Sequence, residues 1–275
     1  MNEWIEWQPT AGFLAVERAL FEGLARYFRL ELQGGEHVPD WGTRPCLFVM
    51  NHTAVVGLEV YLLHAALGRL RPSAPHLRTT VWPPFLQIPG LGAWYRAGGC
   101  LPMSVELVAG CLRGGQSVLV LPEGPDATDV RDEVGPFHGG FLRALREVAD
   151  LGVPVVPLGW AGVDEAMQWF VLEHPLAVRA LMKPIMPKFD FALLPRPPLL
   201  RPSKVVLCAG PARTYDAAAL GDEESLRREL AAMRGTVIDL VAAARQRRAQ
   251  VLEESSLERR VHRWFGAKEV SWRRR

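Results

Sequence analysis

The sequence is poor in the features that define many protein classes. Four cysteines occur in 275 residues, Cys46, Cys100, Cys111 and Cys208, and their spacing fits neither a zinc pattern nor a CxxC redox pair. Cys46, Cys111 and Cys208 sit in apolar surroundings. The expectation is buried free thiols in a reducing compartment. Neither sign of charge dominates: 32 Lys and Arg stand against 30 Asp and Glu, a net charge of +2, so there is no global case for nucleic acid. The longest uncharged stretch, residues 79–95, is too short to span a bilayer and is broken by Pro83, Pro84 and Pro89. The opening residues Met-Asn-Glu-Trp show no basic segment followed by an apolar one, so no signal peptide is expected. The sequence has no G-x-S-x-G elbow, Walker loop, H-E-x-x-H or G-x-G-x-x-G after a strand, and no internal repeat or low-complexity linker.

What is present is enough for a folded core, with 49% hydrophobic and 23% charged residues. Phe13, Val16, Leu20, Leu24 and Phe28 recur at helical spacing and predict an amphipathic helix over 11–32, stopped by Gly34-Gly35. Short, wholly apolar strands are predicted at 45–50, 117–121, 154–159 and 204–210, and helices at 58–70, 104–113, 139–151 and from 223 onward. Such strands alternating with helices indicate an α/β fold, a mixed sheet covered by helices on both faces. The divisions read along the chain are an N-terminal amphipathic helix over 1–33, a catalytic-type domain over 34–215, and a helical extension with a basic tail over 216–275.

Three constellations could carry chemistry. Asn51-His52 ends the first apolar strand, and Glu59 follows seven positions on. A carboxylate can hold one imidazole nitrogen and leave the other as a base. His64 falls on a helix face and reads as packing. Glu123-Gly124 ends the strand 117–121, and the carboxyl ends of strands are where α/β sheets bind ligands. The third, Val153-Pro-Val-Val-Pro157, is by itself only a strand between prolines. The acidic loop Glu123, Asp126, Asp129, Asp132 and Glu133 reads as solvated, and no metal and no cofactor is assigned.

Taken in order, Val49-Met-Asn51-His52, Ile88-Pro-Gly-Leu-Gly with Gly98-Gly99, Val120-Leu-Pro-Glu123-Gly124, Gly139-Gly-Phe141 and Val153–Pro157 resemble the glycerolipid acyltransferase superfamily over roughly residues 30–215. The lead-in Gly34-Gly-Glu-His-Val-Pro39 fits the same pattern. The resemblance implies transfer of an acyl group from an acyl thioester, acyl-CoA or acyl carrier protein as donor substrate, to a hydroxyl of a lipid acceptor. His52 would be the general base and Glu59 its carboxylate, with Asn51, Gly99, Glu123, Gly124, Arg131 and His138 as substrate-binding candidates. The sequence departs from the family pattern at three places. Gly57 stands where the family carries Asp, so Glu59 takes that role; Pro125-Asp126 replaces Thr-Arg; and no Arg follows Gly99, the nearest being Arg96. An Asp in place of a phosphate-gripping Arg repels a phosphate by about 4 kcal/mol at ~4 Å and an effective dielectric of ~20. A neutral acceptor is therefore expected, with Arg131 and His138 as the residues that could compensate.

Residues 258–275 carry seven basic against two acidic residues, with Trp264, Phe265 and Trp272 interleaved. That pattern suits an anionic membrane surface, and equally a basic tail. The expectation is a cytoplasmic protein held peripherally on a membrane, with no nucleic-acid partner. Trp82, Phe85, Leu86, Ile88, Leu91 and Trp94 are expected to line an acyl-chain groove leading to His52, with core packing as the alternative. Other readings remain open: a catalytically inactive lipid-binding protein on the same fold, a lysophosphatidate-type acyltransferase, and a thioesterase-like hydrolase.

Overall fold

The computed structural model describes residues 2–52, 57–124, 134–166, 169–173, 191–195 and 200–265. Its centre is a seven-stranded sheet in the order β1-β9-β6-β2-β5-β3-β4. The strands are β1 Glu31–Gln33, β2 Leu47–Met50, β3 Arg78–Val81, β4 Leu101–Pro102, β5 Val118–Val120, β6 Val155–Ala161 and β9 Val206–Ala209. All pairings are parallel except β6 with β9. The remaining strands, β7 Trp169–Glu173 and β8 Phe191–Pro195, form a separate antiparallel pair. The expected mixed α/β architecture is therefore the observed one.

Among the described residues the α-helices are α1 Asn2–Glu6, α2 Ala11–Tyr27, α3 Leu58–Leu70, α4 Leu91–Ala97, α5 Val105–Arg113, α6 Gly140–Glu147, α7 Val163–Ala166, α8 Glu223–Glu254 and α9 Ser256–Phe265. They cover both faces of the sheet, which is why β2 is apolar at every position. Phe48 and Met50 point into one core with Phe21 of α2, Phe28 just after it, Leu62 and Leu63 of α3, and Trp160 of β6. Leu47 and Val49 point into the other with Leu112, Phe141, Leu142, Met233 and Val237 from α5, α6 and α8. Each such side chain contributes about 1.5–3 kcal/mol by leaving water. At Gly159 the backbone of α8 lies so close to β6 that an added Cβ would stand 2.6 Å from the Val241 nitrogen. Only a residue without a side chain admits that contact.

The N-terminal helix differs from its sequence reading in length and in face. It ends at Tyr27, because Arg29 adopts a left-handed φ of 47°. Lys204 Nζ donates to the Arg29 carbonyl at 2.8 Å, and Arg29 Nε meets Glu258 at 2.6 Å. The chain then enters β1, which pairs with β9 at the sheet edge, so residues 31–33 belong to the sheet and not to a separate helix. The buried stripe of α2 is Glu17, Phe21 and Ala25, while Val16 and Leu20 are 62% and 47% exposed. Glu17 takes the inner position because it faces His76, whose Nδ1 lies 3.6 Å from its carboxylate.

Candidate active site

The site forms where β2 and β5, neighbours at the middle of the sheet, both end. His52 leaves the carboxyl end of β2, and Glu123 leaves that of β5. The His52 backbone N–H donates to Glu123 Oε1 at 2.8 Å, and the Gly135 N–H donates to Glu123 Oε2 at 2.7 Å. Glu123 is 1% exposed. Its carboxylate thus straps the end of β2 to the chain at residue 135. Burial holds its carboxyl above the usual carboxylate range, against the pull of the two backbone donors and of His52.

His52 Nδ1 and Glu59 Oε1 are hydrogen-bonded. Glu59 is fully buried in the first turn of α3, where the helix dipole favours negative charge. The helix starts at once after Gly57, whose φ of 67° lies in the left-handed region. A side chain is disfavoured there, so the carboxylate comes from the first turn of the helix and not from position 57. The His52 side chain is 20% exposed. Its burial acts to lower the imidazole pKa, but the Glu59 charge, the Glu59 hydrogen bond and the Glu123 charge together outweigh it. The pKa stands above the ordinary 6.5. With Nδ1 held by a carboxylate, Nε2 is the nitrogen that can take a proton.

The other candidates divide. Asn51 is buried, and its side-chain oxygen accepts from the Trp160 backbone N–H at 3.1 Å. It ties β2 to β6. Glu123 likewise accepts from two backbone donors, one of them the His52 N–H. Gly99 lies away from this site: a Cβ there would meet Pro9 at 3.2 Å and Arg78 at 3.3 Å. Gly124 and His138 are brought together, 3.5 Å separating an added Gly124 Cβ from His138 Cδ2, and His138 is exposed. Arg131 and Asp126 lie outside the described residues. Arg96 lies over the Trp4 ring at 5.9 Å and donates to the Leu86 carbonyl at 3.4 Å.

Of the six residues expected to line an acyl groove, Leu86 is buried and the other five are half-buried. Trp94 packs on the core beside Phe13, with ring centroids 4.9 Å apart. Two further contributors carry no local sequence signal. The Gly135 N–H is twelve positions from its acceptor, and Trp160, whose ring N–H meets Met50 Sδ, anchors the strand beside His52.

Among the described residues no helix is long and apolar enough to cross a membrane. Residues 29–161 match the family described as Acyltransferase. No match is found among curated proteins. Among solved structures, the chain is similar to the 1-acyl-sn-glycerophosphate (LPA) acyltransferase, PlsC, from Thermotoga maritima. That pair shares 16% identity over 82% of each chain, with a TM-score of 0.46.

Proposed function

We propose, from the match of residues 29–161 to the acyltransferase family, that this chain moves a fatty acyl group from an acyl thioester to a hydroxyl of a neutral lipid. The observation that carries the reading is the His52–Glu59 hydrogen bond at the carboxyl end of β2. His52 Nε2 removes the hydroxyl proton as the acceptor oxygen attacks the thioester carbonyl. The tetrahedral intermediate collapses, the carbon–sulfur bond breaks, and the imidazolium returns the proton to the departing thiolate. No acyl-enzyme forms. Glu59 holds the imidazole in the tautomer that accepts at Nε2 and offsets its positive charge in the transition state. Both acyl-CoA and acyl carrier protein present the required thioester.

Charge supports the neutral acceptor. Asp126 replaces an Arg of the family pattern, and Arg96 is occupied by Trp4 and the Leu86 carbonyl. A bidentate Arg–phosphate contact is about twice as strong as a neutral hydrogen bond, so its loss weighs against a phosphate monoester. Incubation with acyl-CoA and a panel of mono- and diacylglycerols, long-chain alcohols and lysophosphatidate, read by mass spectrometry, tests both points. The expected result is ester formed on neutral acceptors at a rate at least tenfold that on lysophosphatidate. Preference for lysophosphatidate removes the acceptor assignment, and hydrolysis without ester formation removes transfer itself.

Membrane contact is proposed through the exposed apolar groups Trp7, Val16 and Leu20 near the N-terminus and Leu257 and Trp264 on α9. They are 49%, 62%, 47%, 62% and 80% exposed. The basic residues Arg259, Arg260 and Arg263 flank the last two. Cosedimentation with vesicles containing phosphatidylserine is expected, and it should weaken in Trp264→Ala and at high salt. Equal sedimentation of wild type and variant, or none with either, contradicts this mode of contact.

A further inference from the structure

A second cluster of ionisable groups lies outside the His52 site and shares no residue with it. Glu17 of α2, His64 of α3 and His76 just before β3 each offer one donor atom, and these atoms lie within 4.8 Å of one another. Glu17 is buried to 7% exposure in the middle of a helix face that otherwise carries Phe21 and Ala25. The three side chains border a cavity of about 270 Å³, walled also by Phe21, Trp41 and Pro75.

The hydrogen bonds around the cluster orient it as ligand sets are oriented. His76 Nε2 lies 2.8 Å from the Gly98 carbonyl. A carbonyl can only accept, so Nε2 carries the proton and Nδ1 presents its lone pair toward Glu17, 3.6 Å away. His64 Nε2 lies 3.3 Å from Thr79 Oγ1. In His76 one ring nitrogen is fixed by a backbone carbonyl and the other is turned to a carboxylate, which is the outer support that metal-binding histidines use. Donor atoms held at about 2.0–2.2 Å in a tetrahedron stand roughly 3.3–3.6 Å apart, which is the His76–Glu17 separation. Two of the neighbouring cations are engaged elsewhere: Arg78 donates to the Trp4 and Trp7 carbonyls and to Gln116, and Arg69 pairs with Glu22.

We propose that Glu17, His64 and His76 bind one first-row divalent transition metal, of the class of zinc, with the cavity supplying water as the remaining ligand. Two imidazoles and one carboxylate are a donor set suited to zinc and its neighbours and poorly suited to calcium or magnesium. The ion would fasten α2 to α3, the helix that carries Glu59, and to the segment entering β3. Its role is to hold the N-terminal helix on the sheet, apart from the proton transfer at His52. The spacing of 17, 64 and 76 follows no sequence pattern for metals, and folding alone brings the three together.

The test uses the full-length protein after chelation and dialysis, titrated with Zn²⁺ by calorimetry and with Co²⁺ by visible absorption. The expected result is one equivalent of Zn²⁺ bound, d–d bands for Co²⁺, and a rise in melting temperature with metal. Each of Glu17→Gln, His64→Gln and His76→Gln should weaken binding at least tenfold. Glu17→Gln is close to isosteric and tests the site even if a histidine variant folds poorly. Absence of stoichiometric binding overturns the proposal. So does binding that is unchanged in all three variants, which would place the metal on other groups such as the four free thiols.

Discussion

Replacing His52 by alanine should lower acyl transfer by about 10²–10⁴-fold, a loss of about 3–5 kcal/mol of transition-state stabilisation, while the protein stays folded. The activity loss follows from Nε2 being the nitrogen placed to take the acceptor proton, since Nδ1 is held by Glu59. The retained fold follows from what the side chain does not do. It is partly exposed and belongs to neither apolar core, whereas the His52 backbone N–H, which bonds Glu123, survives the substitution. Initial rates with acyl-CoA and a preferred acceptor, read beside circular dichroism and a melting curve, check both halves. A variant that retains near wild-type turnover removes His52 as the base.

The second large effect is expected at Glu123, and it falls on stability. Glu123→Ala leaves two backbone N–H groups, of His52 and Gly135, without their acceptor in a buried place. Each orphaned donor costs about 1–3 kcal/mol, so a loss of about 2–6 kcal/mol and a melting temperature lower by about 4–24 °C are expected. Glu123→Gln keeps the shape but presents one acceptor oxygen for two donors, and it should fall between alanine and wild type. Urea unfolding of the three proteins gives the order. A Glu123→Ala variant as stable as wild type, but impaired in binding acceptor, would return this residue to the substrate-contacting role its position suggests.

The comparison of these two residues shows what the sequence made legible. The four strands expected from wholly apolar runs all form, because a strand buried on both faces leaves an unmistakable pattern: Leu47 to Met50 is the clearest case. α3 was predictable to its ends, and so was the approach of Glu59 to His52, since the strand, the short turn and the helix are consecutive. β3 was missed because it reads Arg-Thr-Thr-Val. Its Arg78 is buried with long-range bonds to the Gln116 side chain and to the carbonyls of Trp4, Trp7 and Gly99, which no local pattern records. The same blindness explains α2. Periodicity chose Val16 and Leu20 for the inner face, and the structure chose Glu17, because its partner His76 lies 59 positions away. Asn51 and Glu123 were legible as residues of the site, but the hydrogen bonds they make were not. Their positions follow from the strand ends, whereas their hydrogen-bond partners, Trp160 and Gly135, depend on the assembled sheet.

The pairing of His52 with Glu59 is the central claim, and its most direct test is the pH dependence of kcat/KM in the wild type and in Glu59→Gln. A general base works only when unprotonated, so the rate must fall as pH drops through the imidazole pKa of the free enzyme. In the wild type Glu59 and Glu123 hold that pKa above 6.5, and the acidic limb should lie above 6.5. Glutamine removes the Glu59 charge while burial continues to disfavour the imidazolium. The limb should therefore move to lower pH as the plateau falls. A limb at the same pH in both proteins, or a rate independent of pH from about 5 to 8, the range in which histidine titrates, would contradict the account.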